Sequence, residues 1–206
     1  MPIIKDFKLD FSTRVIIWNM SESESDLELG IRLSKPDRIK IKSIKLESKR
    51  KEFFASRQIL EYLNYNSDQI RYKKSGKPFL SNGKKISISN SFDMVMIALS
   101  DKEVGVDIEK KRKKIIRIAD KFIHQNEYFG FKNDIIMLTQ LWTIKEAVYK
   151  SYDKQGLSFS KQIIASPFKI NDNIGKAHIV DMELTKFFSL IFIKIENYCA
   201  TIALPN

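Results

Sequence analysis

An α+β fold built as two similar halves in one chain is predicted by three features. Each half contains an amphipathic helix followed by a strand hairpin, no low-complexity linker separates the halves, and 206 residues with 43% hydrophobic content suffice for a packed core. The halves meet near residue 100, giving 1–100 and 101–206, and no clear sequence repeat relates them.

In order along the chain, Arg14 to Trp18 is an apolar run that predicts a first strand, and the polar stretch Ser21 to Asp26 predicts a loop. Between Ser48 and Tyr65 the residues Phe53, Phe54, Ile59, Leu60 and Leu63 recur at helical spacing, with Ser48 as the expected N-cap. Ser75-Gly76-Lys77-Pro78 predicts a turn, because glycine supplies positive φ and proline stops the ladder. Strands are expected at Lys85 to Asn90, Met94 to Leu99 and Val104 to Glu109, with a short connection at Ser91, Phe92 and Asp93. Helices are expected at Ile115 to Ile123, Asn126 to Phe131 and Asp134 to Tyr152. The last third predicts strands at Pro167 to Ile170, Ala177 to Glu183, Phe187 to Ile195 and Tyr198 to Leu204, the last two joined by a turn at Glu196-Asn197.

Charge narrows the partners without choosing one. The 36 Lys+Arg against 25 Asp+Glu give a formal net charge of +11, which favours nucleic acid, an acidic protein or a phosphate-rich cofactor by long-range attraction. A lysine-rich composition with most lysines on solvated faces accounts for the same surplus. Lys110 to Lys114 is the densest basic run and reads equally as a solvated loop. Cys199 is the only cysteine, so no internal disulfide forms, and a reducing cytoplasmic location is expected. The start Met1-Pro2-Ile3-Ile4-Lys5-Asp6 lacks a secretory pattern, and the run Phe187 to Ile193 is too short to span a bilayer, so no membrane association is expected. Seven glycines without a glycine-rich phosphate loop argue against Rossmann and P-loop folds.

Two short segments carry chemistry. In Gly105-Val106-Asp107-Ile108-Glu109, strand alternation puts Gly105, Asp107 and Glu109 on one face, and two carboxylates so close call for a cation between them or nearby. A hard divalent ion such as Mg²⁺ suits oxygen ligands, and Gly105 leaves room for a ligand to approach the backbone. In the helix from Asp134, Trp142, Glu146 and Lys150 share a face at i, i+4 and i+8, with Lys145 a little to one side. A surface ion pair between Glu146 and Lys150 and an edge strand carrying Asp107 and Glu109 explain the same spacings.

Together these segments resemble the two signature motifs of the 4'-phosphopantetheinyl transferase superfamily, in the order and spacing of its Sfp-type branch. Gly76-Lys77-Pro78 resembles the family's Gly-Lys/Arg-Pro turn, and Ile88-Ser89-Asn90-Ser91 sits where that branch has Ser-His-Ser. Arg57 falls where the family carries a basic residue, and Phe122 to Tyr128 resembles its aromatic-to-Glu stretch. The resemblance runs from about Ser48 to Lys150, and the chain length is similar to the single-chain enzymes rather than the shorter trimeric type.

The resemblance implies the phosphopantetheinyl transferase fold with a pseudo-dimer in one chain, acting as a monomer. It implies a holo-[acyl-carrier-protein] synthase activity that moves the phosphopantetheine arm of coenzyme A to a serine of an apo acyl, peptidyl or polyketide carrier, releasing adenosine 3',5'-bisphosphate. By position, Asp107, Glu109 and Glu146 are the implied Mg²⁺ ligands, Lys150 a phosphate contact with a catalytic role, and Glu127 the base with Lys145 beside it. Arg57, Lys77, Ser89 and Asn90 are the implied contacts to the nucleotide end of coenzyme A, a role that falls to the N-terminal half. Asn90 replaces the family's histidine and cannot become cationic, which weakens the expected grip on the 3'-phosphate. Alternative readings are an inactive paralogue that binds coenzyme A or carrier protein, and a basic protein-binding or nucleic-acid-binding domain; no recognisable nucleic-acid module supports the latter. His124 and His178 have no partners suggesting a metal or a triad and read as structural or surface residues.

Overall fold

A computed structural model describes residues 2–127, 133–182 and 184–206. Its contacts divide the chain into two units, Met1–Lys102 and Glu103–Asn206.

The first unit contains β1 (Ile3–Lys8), β2 (Arg14–Asn19), α1 (Glu24–Glu28), α2 (Lys35–Ser43), α3 (Glu47–Tyr62), β3 (Ile70–Tyr72), β4 (Pro78–Leu80), β5 (Lys85–Ser91) and β6 (Met94–Ser100). Four of its strands form an antiparallel sheet ordered β1-β2-β6-β5, while β3 and β4 pair separately. The predicted periodicity holds in α3: Phe53, Phe54, Ile59 and Leu60 pack with Ile16 and Trp18 of β2 and Val95, Ile97 and Leu99 of β6. The expected cap does not hold. The helix begins one residue before Ser48, and the cap position is Leu46, which makes no side-chain bond. The predicted loop at Ser21 to Asp26 contains the start of α1, capped by Ser23 through Asp26 N–H. Helix α2 was not predicted because its residues are mostly charged, yet its start is encoded by the Ser34 cap and Pro36 in the first turn. β1 also escaped the sequence reading, since its polar residues interrupt the apolar alternation.

One buried ion pair ties α2 to α3. Arg57, 1% exposed, makes a bidentate contact to Asp37 at 2.6 and 2.7 Å. Its guanidinium also reaches the Tyr72 hydroxyl at 3.2 Å and lies over the Phe53 ring. Burial pushes the Asp37 carboxyl up, but hydrogen bonds from Arg57 and Ser67 outweigh it and hold the pKa below the ordinary value.

The second unit contains β7 (Gly105–Lys110), α4 (Ile135–Tyr152), β8 (Ile163–Ala165), β9 (Ile174–Asp181), β10 (Leu184–Ile195) and β11 (Tyr198–Pro205). They form one antiparallel sheet ordered β7-β11-β10-β9-β8. Asp134 caps α4 through the backbone N–H groups of Ile136 and Met137. Leu141, Ile144 and Val148 are fully buried at i, i+3 and i+7, against Ile163, Ile179, Phe188 and Leu190 of the sheet.

The expected helix at Ile115 to Ile123 is a 3-10 stretch, Lys113–Lys121, and the one at Asn126 to Phe131 is represented by the 3-10 turn Gln125–Glu127, its remainder lying outside the described residues. The end of the predicted Ala177 to Glu183 strand, at Glu183, and the end of the aromatic-to-Glu stretch, at Tyr128, also lie outside them. The predicted strand at Pro167 to Ile170 is a turn closed by Lys169 and Asp172, and the pairing strand comes earlier, at Ile163. Pro167 has no N–H to give a ladder. Among the described residues no helix is long and apolar enough to cross a membrane.

Arg57→Met leaves the Asp37 carboxylate buried without its guanidinium. It should lower the unfolding free energy by about 3–5 kcal/mol in urea titrations, and a loss below about 1 kcal/mol would contradict this account of the pair.

Candidate active site

Pairing of β7 with β11 sets Thr201 opposite Asp107 and Gly105 opposite Ala203. The face carrying Gly105 and Asp107 is turned to α4. The approach at Gly105 is so tight that a Cβ there would stand 1.9 Å from the Ala147 carbonyl oxygen and 2.6 Å from the Ser151 nitrogen. The missing side chain therefore admits the helix backbone, which corrects the expectation that it admits a ligand.

That contact fixes where the helix places its charges. Asp107 is 3% exposed, and Lys150 Nζ donates to its Oδ1 at 2.7 Å. The expected surface pairing of Glu146 with Lys150 gives way to this partner across the packing interface. Glu146 is half-buried one turn earlier, and its carboxyl is pushed up to about 7. Burial is the main cause, followed by the Asp107 charge; Lys150 pulls the other way, and Glu109 adds a further upward push. The packing thus brings Asp107, Glu109, Glu146 and Lys150 into one electrostatic cluster.

Beneath it lies a buried polar contact that sequence reasoning missed. Gln140 Nε2 donates to Thr201 Oγ1 at 2.8 Å, and Thr143 and Thr201 hydroxyls lie 2.8 Å apart. Gln140 and Thr143, at i and i+3 among the buried apolar residues Leu138, Leu141 and Ile144, are the available signal, but nothing in the sequence pairs them with Thr201.

Asp107, Glu109 and Glu146 are hard, anionic oxygen donors of the kind that Mg²⁺ takes. Among the described residues no three His, Cys, Asp or Glu side chains converge in ready ligating geometry. The donor set fits the ion in charge and chemistry, and ligation calls for side-chain movement.

Glu127 and Lys145 are both 0% exposed and form an ion pair at 2.7 Å. Lys145 also donates to the carbonyls of Phe159 at 2.9 Å and Ile163 at 2.5 Å. Glu127 accepts from the backbone N–H groups of His124 at 2.7 Å and Ala165 at 2.6 Å. Burial draws the Lys145 pKa down, while the Glu127 charge opposes that shift. A general base must reach its proton, and a carboxylate enclosed in this way does not present itself to a substrate. As they stand, the two side chains tie α4 to β8 and to the turn before residue 128.

The nucleotide contacts expected in the first unit divide in the same manner. Arg57, for which a contact to nucleotide is expected, is enclosed with Asp37. Lys77 follows Gly76, whose φ of +85° makes the turn, and is half-buried. Ser89 is buried on β5 and Asn90 beside it is exposed.

A groove of about 170 Å³ adjoins the cluster, with Glu109 in its lining. Ile115, Ile118, Thr139 and Trp142 supply apolar and hydroxyl surface, while Lys110, Arg112 and Lys114 supply positive charge. Trp142 is held edge-on against Phe122, with ring centroids 5.1 Å apart.

Residues 103–203 match the 4'-phosphopantetheinyl transferase superfamily. A 4'-phosphopantetheinyl transferase, gsp, from Aneurinibacillus migulanus is 33% identical over 110 residues, which cover 50% of this chain and 46% of that protein. The match thus spans about half the length of the curated relative. Residues 103–203 of the C-terminal unit are thus similar to this superfamily, and the unit's mixed α and β structure with an antiparallel sheet is consistent with that similarity.

Gly105→Ala should force β7 and α4 apart, cost upwards of about 3 kcal/mol in chemical denaturation, and disrupt the Asp107–Lys150 contact; an unchanged stability would contradict the packing account. The folded protein pushes Glu146 up to about 7 from the ordinary carboxylate value of 4.5, so the folded state holds the extra proton between these pH values. Its stabilising contribution is full below pH 4.5 and is lost as pH rises through about 7. In metal-free buffer at pH 8, Glu146→Gln should therefore be more stable than the parent by about 1–3 kcal/mol, with a flatter pH profile in thermal unfolding.

Proposed function

We propose that the chain transfers the 4'-phosphopantetheine arm of coenzyme A to a serine hydroxyl of an apo carrier protein, as a holo-[acyl-carrier-protein] synthase of the Sfp type. The observation that carries this reading is the gathering of Asp107, Glu109, Glu146 and Lys150 where α4 packs on β7, within the residues similar to the superfamily.

In the proposed reaction the serine oxygen bonds to the phosphorus that carries the pantetheine arm. The bond from that phosphorus to the bridging oxygen breaks, adenosine 3',5'-bisphosphate leaves, and the serine proton passes to a base. When bound, Mg²⁺ at Asp107, Glu109 and Glu146 supplies charge neutralisation at the diphosphate. Lys150 contributes a second positive charge to the same phosphates. Glu109 and Glu146 are committed to the ion and Glu127 is enclosed with Lys145, so none of the three is assigned as the acceptor of the serine proton. Lys145 and Glu127 act at one remove, by holding the helix that carries Glu146 and Lys150. The basic rim and apolar floor of the groove beside Glu109 suit an acidic carrier protein, whose approach the net charge would speed. Lys77, Ser89 and Asn90 are the proposed contacts to the nucleotide end, with no role for Arg57 beyond holding the unit together.

Incubation with coenzyme A, Mg²⁺ and an apo carrier protein should add the mass of one phosphopantetheine arm to the carrier in intact-mass spectra. Absence of that gain across fatty-acid, polyketide and peptide carriers would sink the proposal. Asp107→Ala should lower the rate by at least about 100-fold in a folded protein. Asn90 supplies no cationic partner, so 3'-dephospho-coenzyme A should be used within about tenfold of coenzyme A in kcat/KM. A preference far larger than that would assign the 3'-phosphate contact to another residue.

A further inference from the structure

The Lys150–Asp107 contact has an asymmetry that bears on how the site loads. The Asp107 side chain is 4% exposed, whereas that of Lys150 is 27% exposed. The carboxylate is fixed in the middle of β7, the edge strand of its sheet, on the face covered by α4, and the ammonium ends a flexible four-carbon stem rooted on the half-exposed stripe of α4. The anion is held in place, and the cation can leave.

Glu146 lies one turn from Lys150 on the same helix face, and the Lys150 charge acts on it in the direction opposite to Asp107 and Glu109. One ammonium thus offsets part of the mutual repulsion of three carboxylates. A divalent ion would do the same with twice the charge and at the same oxygens. The two cations cannot share Asp107 cheaply, because like charges at contact distance repel strongly in a partly desolvated site.

We propose that Lys150 is the resident cation of this cluster, seated on Asp107 until a diphosphate-bearing ligand draws its ammonium away and opens the carboxylates to a divalent ion. The inference rests on the reading of the cluster as a metal-and-phosphate site and adds an order to its loading. The cluster alone binds a divalent ion weakly, because the ion must displace an ion pair already formed. A diphosphate offers Lys150 a second anion, so ligand and metal favour one another through the lysine even without direct contact between them. The same side chain is then an inhibitor of metal binding before loading and a phosphate contact after it.

The test measures Mn²⁺ binding to the full chain by electron paramagnetic resonance, with no coenzyme A or phosphate present. Lys150→Met should bind Mn²⁺ about five- to tenfold more tightly than the parent, and Lys150→Arg should not. Lys150→Gln keeps a hydrogen-bond donor to Asp107 without the charge and should also bind more tightly, which guards against poor folding of the methionine variant. Thermal unfolding supplies a second readout: Mn²⁺ should raise the midpoint of either neutral variant more than that of the parent. Measurable Mn²⁺ binding by the parent that the neutral variants leave unchanged or weaken overturns the masking role while leaving the metal ligands in place. Binding by none of the proteins overturns both the masking role and the metal assignment.

Discussion

The approach of α4 to β7 at Gly105 is the constraint on which the candidate site depends. A strand and a helix ordinarily meet through side chains, and here the strand offers none at the point of contact. The helix backbone settles onto the strand, and the residues on either side of that point are set against each other by the two periodicities alone. Asp107, two residues along the strand, meets Lys150 on the helix, with Glu146 a turn away. A Cβ at Gly105 would displace the helix by more than an ångström at the place where its charges face the strand.

Buried charge is managed in two distinguishable ways across the molecule. Arg57 with Asp37, and Lys145 with Glu127, are enclosed pairs in which both partners are 5% exposed or less and backbone or hydroxyl groups join the network. Such pairs fix geometry, because moving either member leaves a charge uncompensated in the interior. The cluster around Asp107 differs: the lysine on Asp107 is partly exposed, while the carboxylate it holds is buried. Carboxylates whose pKa is raised by burial and by one another, as Glu146's is, mark a candidate site for cation-bridged chemistry. The contrast separates the residues that do chemistry in the proposed reaction from those that hold them.

Sequence made the charged cluster legible because spacing carries it. Asp107 and Glu109 follow strand alternation, and Glu146 and Lys150 follow the helical turn. The pairing of Lys150 with Asp107 rather than Glu146 was not legible, since it depends on which face of β7 meets the helix. Gly105 was noticed for the right reason, the absence of a Cβ, and assigned the wrong neighbour. Glu127, Lys145 and Arg57 illustrate the limit of motif position: a charged residue can be read from a pattern, but its enclosure depends on carbonyls of Phe159 and Ile163, or on Asp37 across an unpredicted helix. For the fold, strongly apolar strands and the periodic α3 and α4 were readable, whereas α2 was hidden by charge and β8 by the proline-containing segment that follows it.

The central claim is that α4 packing on β7 builds a single metal-and-diphosphate site from these carboxylates and Lys150. Its most direct test is anomalous scattering from crystals of the chain grown with Mn²⁺ and coenzyme A. The account predicts one Mn²⁺ peak among Asp107, Glu109 and Glu146, bridged to the diphosphate, with Lys150 turned from Asp107 onto a phosphate oxygen. Coenzyme A bound elsewhere, or bound here with Lys150 still on Asp107 and Mn²⁺ away from the three carboxylates, would contradict it.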